Sequence, residues 1–175
     1  RLGEAGVPCG VNYVLSQATW ADLEATAAQV AAVGGNQLEI LRFKPAGRGR
    51  ADYDRLALTE AQARTLTPRL LAIAEAHPGL HVKVDCSLVP FLCAADPVPA
   101  LLSKLGVYGC EAANALASVD ARGRATPCSF VDDAVGDVAA LADGWRTDAT
   151  LQRWRSYPDR APEPCRSCPY RGVCK

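Results

Sequence analysis

Two linked cysteine blocks constrain this chain more than any other feature. Near the end stands Cys165-Arg-Ser-Cys168, with Cys174 following after five intervening residues; upstream, Cys110, Gly123 and Cys128 read C-x12-G-x4-C. A C-x2-C pair lets a tight turn aim two thiolates at one metal centre, and a third cysteine can close over the same centre. Gly123 falls where a turn between two short strands needs positive φ. Soft, charged sulfur matches iron, and zinc accepts the same ligands.

The chain has 175 residues, 49% of them hydrophobic, enough for one domain or one and a half small ones with a buried core. Nineteen basic residues balance nineteen acidic ones, so nothing in the charge points to nucleic acid or to an anionic membrane surface. No apolar run approaches the roughly 20 residues of a membrane span, and the start lacks a signal-peptide layout. The expected protein is soluble and cytoplasmic. Eight cysteines raise the thought of a disulfide scaffold, but long amphipathic segments build a core without staples, and in a reducing cytosol clustered cysteines read as metal ligands. With no methionine and an arginine at position 1, the chain reads as a fragment cut at both ends.

Strand and helix patterns alternate in the first half, the signature of parallel β/α units. Strands are expected at Val11–Leu15, Gln37–Phe43 and Leu80–Val84. Thr19 offers an N-cap for a helix of about four turns ending at Gly34-Gly35, and Thr59-Glu-Ala-Gln62 a capping box for a helix with Ala63, Leu66, Leu70, Ile73 and Ala74 on its apolar stripe. Lys44 to Arg50 must be a loop by its proline and glycines. A short helix over Pro97–Leu105, closed by Gly106, precedes the cysteine-rich segment. There, Leu116–Asp120 and Ala125–Cys128 form a hairpin through Ala121-Arg-Gly123 that brings Cys110 and Cys128 near each other. Asp137–Tyr157 is helical with a break around Gly144, and Pro158–Pro164 an extended lead into the last cysteines.

This ordered set resembles the SPASM domain, the auxiliary iron-sulfur module at the C-terminus of many radical S-adenosylmethionine enzymes that modify peptides. Cys110, Gly123, Cys128, Cys165, Cys168 and Cys174 fill the first six fixed positions of its pattern, and the chain ends at Lys175 before two further cysteines. The run Leu38-Glu-Ile-Leu-Arg42-Phe-Lys-Pro45-Ala-Gly47-Arg is similar to a late-strand segment of the family's barrel. The resemblance implies an α/β fold in which residues 1–105 are the later part of a partial (β/α) barrel and residues 106–175 a small cysteine-rich α+β SPASM domain, truncated at its C-terminus. It implies that Cys165, Cys168 and Cys174 ligate the second auxiliary 4Fe-4S cluster, and Cys110 and Cys128 the first. In the full-length protein it implies S-adenosylmethionine and a catalytic 4Fe-4S cluster held by C-x3-C-x2-C, a spacing that this sequence lacks and that belongs before Arg1. The fragment alone is expected to be inactive.

Other residues carry weaker signals. Cys86 and Cys93 stand in an apolar stretch, where cysteine is often a small buried side chain, and one of them is also open as an upstream ligand of the first cluster. The spacing typical of sulfatase maturases would put that ligand at Lys104. Cys9, after Pro8, reads as buried structure. Arg42, Lys44, Arg48 and Arg50 crowd the end of the second strand, which in β/α barrels faces the active site, so a basic mouth for a carboxylate stands beside a solvated-loop reading for Arg48 and Arg50. Asn12 is a polar residue in a barrel strand; His77 and His81 are assigned no chemistry. Ser129 occupies the place of an aspartate proposed as proton acceptor in sulfatase-maturing relatives, and Asp132 and Asp133 read as a solvated loop.

The function that follows is a radical enzyme acting on a peptide or protein side chain by hydrogen abstraction, poor at sulfatase maturation, with a low-potential electron donor and no nucleic acid or membrane partner. The alternative is a noncatalytic zinc-binding interaction module.

Overall fold

The computed structural model describes residues 5–93, 102, 107 and 109–174. The expected helix over Pro97–Leu105, its closure at Gly106 and the boundary there lie mainly outside the described residues. The chain divides into two compact units, Arg1–Tyr108 and Gly109–Lys175.

In the first unit, β1 (Gly10–Leu15), β2 (Gln37–Arg42) and β3 (His81–Val84) form a parallel sheet in the order β1-β2-β3. The register pairs Tyr13 with Ile40 and Ile40 with Val84. Alternation on β2 and β3 turns Leu38, Ile40, Val82 and Val84 inward, all buried, as the period of two requires. Parallel strands need crossovers, and here these are α1 (Leu23–Ala32) and α3 (Glu60–Ala76), with the short α2 (Tyr53–Leu56) between. α4 (Val89–Cys93) follows β3.

The capping box at α3 is present: the Thr59 hydroxyl accepts from the Gln62 N–H at 3.2 Å, and the Gln62 side chain accepts from the Thr59 N–H at 2.9 Å. The apolar stripe Ala63, Leu66, Leu70 and Ile73 is buried. α3 also runs through Pro68. An interior proline costs about 3 kcal/mol, but burying Leu66, Leu70 and Ile73 returns about 1.5–3 kcal/mol each, so the stripe wins.

Two local expectations are corrected. Thr19 does not cap α1: its hydroxyl donates to the Val14 carbonyl and accepts from the Ser16 N–H, which pins the turn after β1, and a 3₁₀ turn at Trp20–Asp22 leads into a ten-residue α1. A hydroxyl engaged behind it is lost to the helix ahead. Within the segment expected as a loop, Gly47–Asp52 is a 3₁₀ helix that carries the chain into α2.

In the second unit, β4 (Ser118–Val119), β5 (Arg124–Thr126) and β6 (Gly136–Asp137) form a small antiparallel sheet. The hairpin turns where expected. Gly123 has φ +81°, and the Asp120 carboxylate accepts from the N–H groups of Arg122 and Arg124. β6 had no legible strand pattern, since two residues carry no periodicity. α5 (Val138–Gly144) and α6 (Ala149–Arg155) each start at an aspartate, Asp137 or Asp148, that caps the third N–H, and the chain breaks between them after Gly144. The extended lead is a correction: Tyr157–Arg160 is a helical turn, α7, with Pro158 in its first turn, where a missing N–H costs nothing. α8 (Arg171–Cys174) closes the unit.

Among the described residues, no helix is long and apolar enough to cross a membrane.

Candidate functional site: a thiol cluster in the second unit

The C-x2-C pair forms the tight turn that its spacing requires. The Cys168 N–H donates to the Cys165 carbonyl at 3.2 Å, closing a four-residue turn. Glu163 holds it from below, accepting from both the Ser167 hydroxyl and its N–H, and Arg166 Nε reaches the buried Ala161 carbonyl. The Arg171 N–H then bonds the Cys168 carbonyl, and α8 delivers Cys174.

Cys110 joins this group through the backbone, its N–H donating to the Cys174 carbonyl at 3.3 Å. Gly109 makes the approach possible, because a Cβ there would collide with the carbonyls of Val173 and Cys174. Burial pushes the Cys174 thiol above its ordinary pKa, and the charges of Cys165, Cys168 and Cys110 push it further. Four of the five sequence-chosen cysteines thus share one electrostatic neighbourhood. Cys128 is fixed by other contacts: its carbonyl accepts from the Thr126 hydroxyl at 3.0 Å and the Val131 N–H at 3.2 Å. Among the described residues, no three His, Cys, Asp or Glu side chains form a group that could hold a metal ion. The donors around Cys174 are nonetheless all sulfur, the set taken by iron-sulfur clusters and by structural zinc, and in that chemistry they fit the implied group.

Sequence reasoning missed Arg155. Its guanidinium donates to the carbonyls of Ala113 and Trp145 and lies 4.9 Å from the Trp145 ring centre, tying α6 to the turn just after Cys110. Ala113 itself has φ +65°, a left-handed position no pattern flagged. Asp133 is a second correction. Asp132 is solvated, but Asp133 accepts from Trp154 Nε1 at 2.8 Å and from Arg153 at 3.0 Å, which hold its carboxyl below the usual range. These side chains, with Cys110 and Tyr157, line a cavity of about 500 Å³. Ser129 is exposed.

In the first unit, the basic residues after β2 separate. Arg48 and Arg50 are exposed on the 3₁₀ turn. Arg42 donates to the Tyr53 hydroxyl and lies 4.8 Å from the Phe91 ring centre. Lys44 pairs with Asp85 at 2.5 Å. Burial raises the Asp85 pKa, but Lys44, the Ser87 N–H and the Cys86 thiol together lower it below its ordinary value. Asp85 was missed because a lone aspartate after a strand carries no spacing signal. Cys86 is held to Asp85 at 3.3 Å; Cys93 ends α4; Cys9 is half-buried with its thiol 3.9 Å from the Gly34 carbonyl; Asn12 is exposed.

No protein-family model matches the chain, and no solved structure matches it. It is 27% identical over 178 residues to a curated protein of Granulibacter bethesdensis named PqqA peptide cyclase, in an alignment covering 98% of this chain and 45% of that protein. The chain therefore spans less than half the length of the relative it matches.

Proposed function

We propose that this chain belongs to a radical S-adenosylmethionine enzyme that modifies a peptide or protein side chain, and that Cys110, Cys128, Cys165, Cys168 and Cys174 ligate its auxiliary 4Fe-4S clusters. The observation that carries the reading is the backbone bond from the Cys110 N–H to the Cys174 carbonyl, which joins the upstream cysteine block to the one containing the Cys165–Cys168 turn, in the order the SPASM pattern demands. In a four-iron cluster each sulfur binds a different iron, so thiols that are neighbours without converging on one point suit it. The relative's name supports a peptide as substrate. On this reading residues 1–105 are late units of a partial (β/α) barrel, in keeping with the parallel β1-β2-β3 sheet, and residues 106–175 are the SPASM domain.

When bound, auxiliary clusters supply sites for taking up or relaying an electron. The chain's own part is to bring the cysteines near one another through its backbone: the Cys165–Cys168 turn and the Gly109 approach that lets the Cys110 N–H reach the Cys174 carbonyl. S-adenosylmethionine and the catalytic cluster belong to the full-length enzyme, with a low-potential electron donor.

Anaerobic reconstitution with iron and sulfide, followed by metal analysis and visible absorption, tests the reading. Iron with equivalent sulfide and a charge-transfer band is expected. Stoichiometric zinc with trace iron would instead establish the interaction module.

A further inference from the structure

We propose that the cavity of the second unit is a subsite for an apolar peptide segment that carries a carboxylate; its identity as a substrate subsite rests on the peptide-modifying reading above. At about 500 Å³ it is large enough for a side chain and its flanking backbone. Trp154, Tyr157, Pro158 and the buried Ala112 give it an apolar wall. Trp154 is held in place by its bond to Asp133 at 2.8 Å, so the wall is formed before a ligand arrives.

Charge selects the occupant. Asp133 and Arg153 neutralise each other at 3.0 Å. Arg160, also on the lining, bonds only neutral oxygens among the described residues: Ser156 Oγ at 3.3 Å and the Arg153 carbonyl. Among the described residues, the cavity therefore keeps one exposed guanidinium with no carboxylate paired to it, beside an apolar wall. A guanidinium's planar fork matches a carboxylate, and a lysine on the ligand would meet repulsion there. Cys110 on the same lining puts the held segment beside the thiol cluster, whose Cys174 neighbour receives the Cys110 N–H.

The test measures binding of fluorescently labelled, end-blocked hexapeptides to the full chain by anisotropy at low salt. One peptide carries an aspartate next to a leucine, the second an asparagine in its place, the third a lysine. The aspartate peptide should bind about tenfold more tightly than the asparagine peptide, and the lysine peptide more weakly still. Arg160→Ala should abolish the preference, and Arg160→Lys should restore part of it. Equal binding of the aspartate and asparagine peptides overturns the proposal, as does a preference that survives Arg160→Ala. Should Arg160→Ala fail to fold, the peptide comparison on the unsubstituted chain and the effect of Arg160→Lys decide. Iron and sulfide loading, measured on the same samples, separates the two readings: normal loading without aspartate preference sinks the subsite alone, and preference without loading sinks the cluster assignment alone.

Discussion

Cys110 and Cys174, far apart in sequence, meet through a 3.3 Å hydrogen bond from the Cys110 N–H to the Cys174 carbonyl, over a glycine that leaves no room for a side chain. That contact draws Cys110 to the C-terminal cysteines, whereas the family resemblance groups it with Cys128. The two groupings differ in what cysteine substitutions should do.

If the backbone contact decides the pairing, Cys110→Ser and Cys174→Ser should each lower bound iron, and the double variant should lose little more than either alone. Cys128→Ser combined with Cys174→Ser should lose more. Iron and sulfide analysis after anaerobic reconstitution checks this; additive losses for Cys110 and Cys174 would favour the family grouping.

Gly109→Ala should be costly out of proportion to one methyl group. The added Cβ strikes the Val173 and Cys174 carbonyls, which are backbone and yield only if α8 moves. Overpacking of this kind costs about 1–3 kcal/mol, and denaturant titration should show it together with reduced iron loading.

The Lys44–Asp85 pair should dominate the acid sensitivity of the first unit. Asp85→Asn removes the carboxylate that Lys44 meets at 2.5 Å, at a cost of about 1.5–3 kcal/mol for a charge-assisted bond. Because the folded pKa of Asp85 lies below its ordinary 3.8, its stabilisation is present above that value and fades as pH falls through the lower, folded one. Melts of the parent chain at falling pH should lose this contribution below about pH 4, while Asp85→Asn should lack that part of the slope.

Arg69 joins α3 to the start of α1 by a two-point bond to Glu24 and by lying 4.2 Å from the Trp20 ring centre. Glu24 is half exposed, so the ion pair contributes little and the stacking a comparable amount. Arg69→Ala should cost about 1 kcal/mol, and Arg69→Lys should recover less than half, since lysine keeps charge but neither fork nor plane. Thermal melts at low and high salt separate the two parts, because salt screens only the pair.

Much of the local structure was legible. The period of two in Leu38, Ile40, Val82 and Val84, the stripe on α3, its Thr59–Gln62 box, and Gly123 at the hairpin are short-range physics, fixed by residues a few positions apart. The same holds for the Cys165–Cys168 turn, where spacing and geometry coincide. Sequence also named which five cysteines to watch. It could not assign partners that meet only after folding. Thr19 was read as a helix cap, but its one hydroxyl serves the turn behind it; Asp85 carried no signal and Asp133 looked like a solvated acid, yet Lys44 in one case and Trp154 with Arg153 in the other claim them. Spacing along the chain sets what a residue is able to bind, and only the tertiary structure decides which of several eligible partners arrives, because that choice depends on which elements pack together and which burial makes an unpaired group too costly.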